Sequence, residues 1–138
     1  MRLTAFTDFG LRVLMRLAGA PDRSFTTEAI AAEFAISRHH LTKVVRALSA
    51  AGLVESRRGA GGGVRLGRAP EDISIGEVVR LLEVGQPLVE CFRADGGACV
   101  LTPQCRLKGK LADAEAAFLE RLDRTSLAEC AYPQADAA

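Results

Sequence analysis

The chain has 138 residues, 49% hydrophobic and 25% charged, with no tryptophan, one tyrosine and a net charge of +1. That length holds one compact domain plus an extension, and the composition excludes collagen-like, low-complexity and disulfide-scaffold classes. No apolar run approaches the ~18 residues of a membrane span, and Met1–Asp8 lacks an apolar signal core, so a cytoplasmic protein without membrane contact is expected.

Phe6, Phe9, Val13 and Leu17 recur at helical spacing beside Leu14, which predicts a first helix from about Thr7 to Ala18. Gly19-Ala20-Pro21-Asp22 ends it. Thr26 or Thr27 is placed to cap a short second helix through Ile30 to Phe34. Ser37 reads as the cap of a third helix, whose apolar face is Leu41, Val44, Val45 and Leu48. Its opposite face is His39, Lys43 and Arg46, with Arg38 and His40 in the first turn. Leu53–Arg58 reads as a strand, Gly59–Gly63 as a flexible tip and Val64–Leu66 as the returning strand. Gly67–Asp72 is a connector. Ser74 and Glu77 form a capping box for a helix with Ile75, Val78, Val79 and Leu82 on one face. Gly85 and Pro87 end that helix, and a cysteine-bearing loop follows. A long helix from about Arg106 to Asp123 carries the stripe Leu107, Leu111, Ala114, Phe118 and Leu122, which calls for a partner surface, here the same helix of a second subunit. Ser126 and Glu129 form a second capping box for a last short helix, and residues 131–138 read as frayed.

The net charge conceals a division. Residues 1–68 carry 11 lysines and arginines against 5 acids, a balance of +6, whereas residues 69–138 carry 7 against 12. The basic half therefore points to a polyanionic partner. Two helices joined by a short turn, followed at once by an arginine-bearing hairpin, form a winged helix-turn-helix over residues 1–70. The third helix would enter a major groove with Ser37, Arg38, His39, His40 and Lys43 near base edges, because arginine pairs with guanine and lysine or histidine donates to bases or phosphate. The tip glycines let backbone approach phosphate, and Arg57, Arg58 and Arg65 supply charge. The competing reading is a solvated helix face; the wing and the charge division weigh against it. His39 and His40 point apart on a helix and do not share a metal ion. Arg12 and Arg16 on the first helix could touch phosphate but are expected to face water.

Four cysteines occur, at 91, 99, 105 and 130. Clustered thiols in a cytosolic chain point to metal or redox chemistry rather than structural disulfides. Cys91, Cys99 and Cys105 are soft donors suited to zinc, copper(I) or an iron–sulfur cluster. They lack the short knuckle of structural zinc sites, and wide spacing suits a cluster better than one ion. Cys130 lies beyond a helix that would carry it roughly 25 Å away, so it reads as a bystander. Nothing resembles a nucleophile–base pair, and Gly61–Gly63 lacks the Lys-Ser/Thr ending of a nucleotide loop, so no enzyme is expected.

Several segments together resemble the NsrR-type repressors, nitric-oxide-responsive members of the winged-helix superfamily that also contains IscR. They are Met1-Arg2-Leu3-Thr4 with Phe6-Thr7-Asp8, Ser37–Lys43, the wing Arg58–Gly67, Ile75–Arg80, and the cysteine segment with Leu101–Lys108. The resemblance implies a homodimer that holds a [4Fe–4S] or [2Fe–2S] cluster on Cys91, Cys99 and Cys105 and binds a partly palindromic double-stranded operator. Nitric oxide then attacks the cluster and DNA affinity falls. The IscR type places a histidine where this chain has Lys108, a poor ligand, which argues against that sub-type. Asp8 stands where the resemblance places a fourth, carboxylate ligand; the alternative is an acid complementing the helix dipole. The seven-residue gap after Cys91 is longer than the usual five or so.

The expected organisation is thus a mainly α fold with a β-hairpin wing: the DNA-binding domain at 1–70, a connecting helix at 71–88, the cysteine loop at 89–105, and a dimerisation helix with its short terminal helix at 106–130. The function expected is that of a nitric-oxide-sensing repressor. The alternatives are a regulator of the same fold sensing iron supply or redox state, and a small electron-transfer or enzymatic iron–sulfur protein, which leaves the basic wing without a purpose.

Overall fold

Thr4 sets the start of the first helix in the computed structural model, which describes residues 2–133. Its hydroxyl accepts from the Thr7 N–H, so helix α1 spans Ala5–Ala18 and begins two residues ahead of expectation. Val13, Leu14 and Leu17 are fully buried along one face. Helix α2, Thr27–Phe34, is capped by Thr26 and ends at Ala35, whose φ of 53° is left-handed. That conformation lets the Ile36 N–H reach back to the Ala31 carbonyl at 3.0 Å and turns the chain sharply. Helix α3, Arg38–Ala50, follows under the Ser37 cap and buries Leu41, Val44, Val45 and Leu48.

Strands β1, Val54–Arg57, and β2, Gly63–Leu66, pair antiparallel, with Val54 opposite Leu66 and Arg57 opposite Gly63. The hairpin does not stand alone. Phe25, between α1 and α2, exchanges two backbone hydrogen bonds with Val64, at 2.9 and 2.7 Å. The architecture is therefore the mainly helical, hairpin-bearing one that the residue pattern predicts.

Helix α4, Ile75–Leu82, is capped by Ser74 and lies on α1. Gly10 permits this approach, because a Cβ there would collide with the Leu82 side chain. Helix α5, Arg106–Asp123, packs on α4, with Phe118, Leu119 and Leu122 half-buried against the core. The expected single stripe thus divides: its C-terminal end serves this chain's own core, while Leu107 is 61% exposed.

The last short helix is a single 3-10 turn at Ala128–Cys130. Its capping box forms, with the Ser126 N–H donating to Glu129 at 2.7 Å. However, the next amide, that of fully buried Leu127, is committed to the Ile73 carbonyl at 2.8 Å. The Tyr132 N–H is likewise committed to the Met15 carbonyl at 2.9 Å, so residues 131–132 are tied to α1 rather than frayed. Residues 134–138 of the expected frayed tail lie outside the described residues. Among the described residues no helix is long and apolar enough to cross a membrane.

Candidate nucleic-acid interface and metal centre

The outer face of α3 presents Arg38, His39, His40, Lys43 and Arg46, all exposed. Ser37 is exposed too, but its hydroxyl accepts from the His40 N–H at 3.2 Å. Burial of Leu41, Val44 and Leu48 fixes which face turns outward, since a helix repeats every 3.6 residues. The His40 ring stacks on Phe9 of α1, centroids 6.5 Å apart. Arg38 is held by Glu28 of α2 at 2.7 Å. On the wing, Arg57 ends β1, Arg58 opens the tip, and Arg65 pairs with Glu55 directly across the strands at 2.9 Å. Exposed ion pairs are worth ~0–1 kcal/mol, so Arg38 and Arg65 are cheaply released to a stronger anion.

Arg12 and Arg16 part company. Arg12 is exposed and pairs with Asp8 at 2.8 Å. Arg16, expected at water, is buried: its side chain is 7% exposed, and its Nε donates to both Glu33 oxygens at 3.0 and 2.9 Å. Its guanidinium lies 4.3 Å from the Phe25 ring centroid. Position 16 falls three residues after buried Val13, at the edge of the apolar face, where an arginine stem lies under neighbouring groups.

Cys91 sits in the 3-10 turn Glu90–Phe92, Cys105 immediately precedes α5, and Cys99 lies between them. All three thiols are free and half-buried. The stretch between Cys91 and Cys99 is organised by Asp95, which pairs with Arg93 at 2.7 Å and accepts from the Gly97 N–H at 3.0 Å. The Gly97 amide first, and then the Arg93 guanidinium, hold the Asp95 carboxyl below its ordinary pKa. The Ala98 N–H donates to Glu90 at 3.0 Å. Among the described residues, no three His, Cys, Asp or Glu side chains are gathered into a metal-holding group. Three free thiols on one loop suit a soft metal centre, so the fit is one of donor chemistry and not of assembled geometry. Asp8, the candidate fourth donor, is engaged with Arg12. Cys130 packs against the core beyond α5.

One link between the two halves has no signature in the sequence. Glu83, just past α4 at the root of the cysteine loop, accepts from the Thr4 N–H at 2.8 Å and the Thr4 hydroxyl at 2.9 Å. It also accepts from the hydroxyl of Thr7, which is fully buried. Burial raises the Glu83 pKa, but the hydrogen bonds from Thr7 and Thr4 outweigh it and leave the carboxyl below its ordinary value. The loop root is thereby tied to the first turn of α1. Farther along α1, Phe9 touches His40 and Gly10 lies against Val44, both on α3.

Helix-turn-helix, hairpin wing and outward-facing basic residues define a winged-helix DNA-binding protein. Residues 3–132 match the Rrf2 family, described as iron-dependent transcriptional regulators, and the chain belongs to that family. It is similar to the transcriptional regulator NsrR of Geobacillus kaustophilus, 48% identical over 94% of this chain and 88% of that one. The NsrR of Bacillus subtilis is also 48% identical, over 92% and 88%. The resemblance to NsrR-type regulators is therefore borne out. Among solved structures, CymR, the global cysteine regulator of B. subtilis, is 31% identical with a TM-score of 0.75, covering 95% of this chain and 96% of that one. The chain is a DNA-binding transcriptional regulator and not an enzyme.

Proposed function

We propose that the chain acts in the cytoplasm as a homodimeric repressor with an iron–sulfur cluster, [4Fe–4S] or [2Fe–2S], on Cys91, Cys99 and Cys105. Nitric oxide lowers its operator affinity by damaging the cluster. The observation that carries this reading is the path from the cysteine loop to α3. Three free thiols lie on one loop, Glu83 ties the root of that loop to Thr4 and Thr7 of α1, and α1 packs on α3. Bound there, the cluster supplies iron that reacts with nitric oxide. The chain's own residues do the rest. Holding the cluster draws the three cysteines together and fixes the loop, and the loop root fixes α1 through Glu83. Asp8 is held away from the ligand set by nothing stronger than its pair with Arg12, an exposed pair worth ~0–1 kcal/mol.

On DNA, Ser37, Arg38, His39, His40 and Lys43 face the major groove while Arg57, Arg58 and Arg65 meet phosphate. Exposed Val100 (89%) and Leu101 (67%) in the cysteine loop and Leu107 (61%) in the first turn of α5 favour a second copy as their cover. A dimer reads half-sites about one helical turn apart, so a small change in the separation of the two α3 helices costs contacts on one side. A coupling of ~1–3 kcal/mol between loop and DNA changes affinity roughly 5–150-fold.

The description of the family as iron-dependent favours a second reading, in which iron supply or redox state is the signal. The two separate in one experiment. Anaerobically purified holo-protein, bound to a labelled fragment of its own promoter, is exposed in turn to nitric oxide, oxygen and a chelator. Release by stoichiometric nitric oxide, with oxygen and chelator slow, supports the first reading; release by chelator or oxygen with indifference to nitric oxide supports the second.

A further inference from the structure

We infer that Arg16 is a positioning residue for the wing, acting through the ring of Phe25; this rests on the DNA-binding reading above. A lone two-stranded hairpin is only marginally stable in water. Here Val64 of β2 is held by two backbone hydrogen bonds to Phe25, and the Phe25 ring is buried. The Arg16 guanidinium lies 4.3 Å from the ring centroid and that of Arg23 5.0 Å, so the ring carries two cations. Arg16 is itself fixed, with Nε on both oxygens of Glu33 in α2. Helix α1 and strand β2 therefore meet at Phe25, one through its ring and one through its backbone, and α2 joins them through Glu33 and Arg16. The fit is close on the strand side as well: Gly63 has φ of 134°, and a Cβ there would lie 2.6 Å from the Phe25 carbonyl oxygen.

Val64 adjoins Arg65, and Gly63 pairs with Arg57. Fixing Val64 against Phe25 thus aims two of the three wing arginines. Arg16 Nη1 is buried without a hydrogen-bond partner, a burden that an apolar residue would not carry. The charge over the ring gives that burden a purpose, since a desolvated cation–π contact is among the stronger ones.

The test compares wild type, Arg16→Met, Phe25→Leu and a wing variant with Arg57, Arg58 and Arg65 all changed to alanine, each as the full chain. Binding to a labelled duplex of random sequence is followed by anisotropy, because the phosphate contribution needs no operator. Arg16→Met and Phe25→Leu are each expected to weaken binding about three- to tenfold in the wild-type background and to have no further effect in the wing variant. An equal loss in both backgrounds, or no loss in either, overturns the inference. Phe25→Leu keeps the backbone bonds to Val64 and an apolar side chain, so it decides the matter if Arg16→Met does not fold. A wild type without salt-dependent duplex binding sinks the DNA-binding reading itself, which is a different result from equal losses.

Discussion

Replacing Glu83 tests whether the cysteine loop and the DNA-binding helices are mechanically joined. Glu83→Ala removes the acceptor for three donors: the Thr4 N–H, the Thr4 hydroxyl and the Thr7 hydroxyl. Thr7 is fully buried, and without Glu83 its hydroxyl keeps only the Thr4 hydroxyl, 3.1 Å away, as a partner, while half-buried Thr4 recovers part of its bonding from solvent. At ~1–3 kcal/mol for a buried donor that loses its acceptor, the expected destabilisation is about 1–3 kcal/mol. For a chain of this length that corresponds to a fall in Tm of roughly 3–10 °C. The pH dependence supplies a second readout. The folded Glu83 pKa is depressed below its unfolded value, so its contribution is fully present above the unfolded pKa and is lost as pH falls through the folded one. Wild type is therefore expected to lose more stability than Glu83→Gln between about pH 5 and pH 3. Thermal melts followed by circular dichroism across that range measure both effects. A Glu83→Ala protein melting within about 1 °C of wild type at pH 7 would refute the reasoning, given that shifts of several degrees per kcal/mol are ordinary.

Three further outcomes are expected. Lys43→Ala and Arg58→Ala each weaken duplex binding and reduce the log–log salt slope by about 0.9 per lost phosphate contact, leaving the visible absorbance of the holo-protein unchanged; filter binding or anisotropy against salt measures this. Cys99→Ala abolishes or sharply lowers bound iron whereas Cys130→Ala retains it, as read by iron and sulfide analysis of anaerobic preparations. Gly10→Val drives a side chain into Leu82 at the α1–α4 contact, at a cost of about 1–3 kcal/mol visible in a denaturant melt.

The helices α1, α3, α4 and α5 were legible because each carries a strong 3.6-residue apolar period and α3 and α4 also a capping serine, whereas the Thr4 cap that starts α1 two residues early was not read. The wing was legible through its glycine tip between alternating strands. What escaped is what depends on distant pairing. Arg16 reads as one more surface arginine until Phe25 and Glu33 are brought to it by the fold. Glu83 lies 76 and 79 residues from its threonine partners, and no local pattern announces such a bond. The C-terminal capping box did form, but the tertiary bonds from Leu127 to Ile73 and from Tyr132 to Met15 that flank its short helix have no local signature. In the candidate metal centre, residue type and spacing were enough to single out Cys91, Cys99 and Cys105 as soft donors. Their convergence is a property of loop conformation and metal together, which spacing does not encode.

The claim on which the rest stands is that metal held by the 91–105 loop governs grip on DNA. The most direct test takes one anaerobically isolated sample, determines iron and sulfide per chain with absorption and Mössbauer spectra, and titrates the same sample onto its promoter before and after cluster removal. The expected result is a coloured protein with an iron–sulfur spectrum that loses roughly 5–150-fold in affinity when the cluster goes. A colourless protein carrying stoichiometric zinc, or one whose affinity is indifferent to its iron, would contradict it.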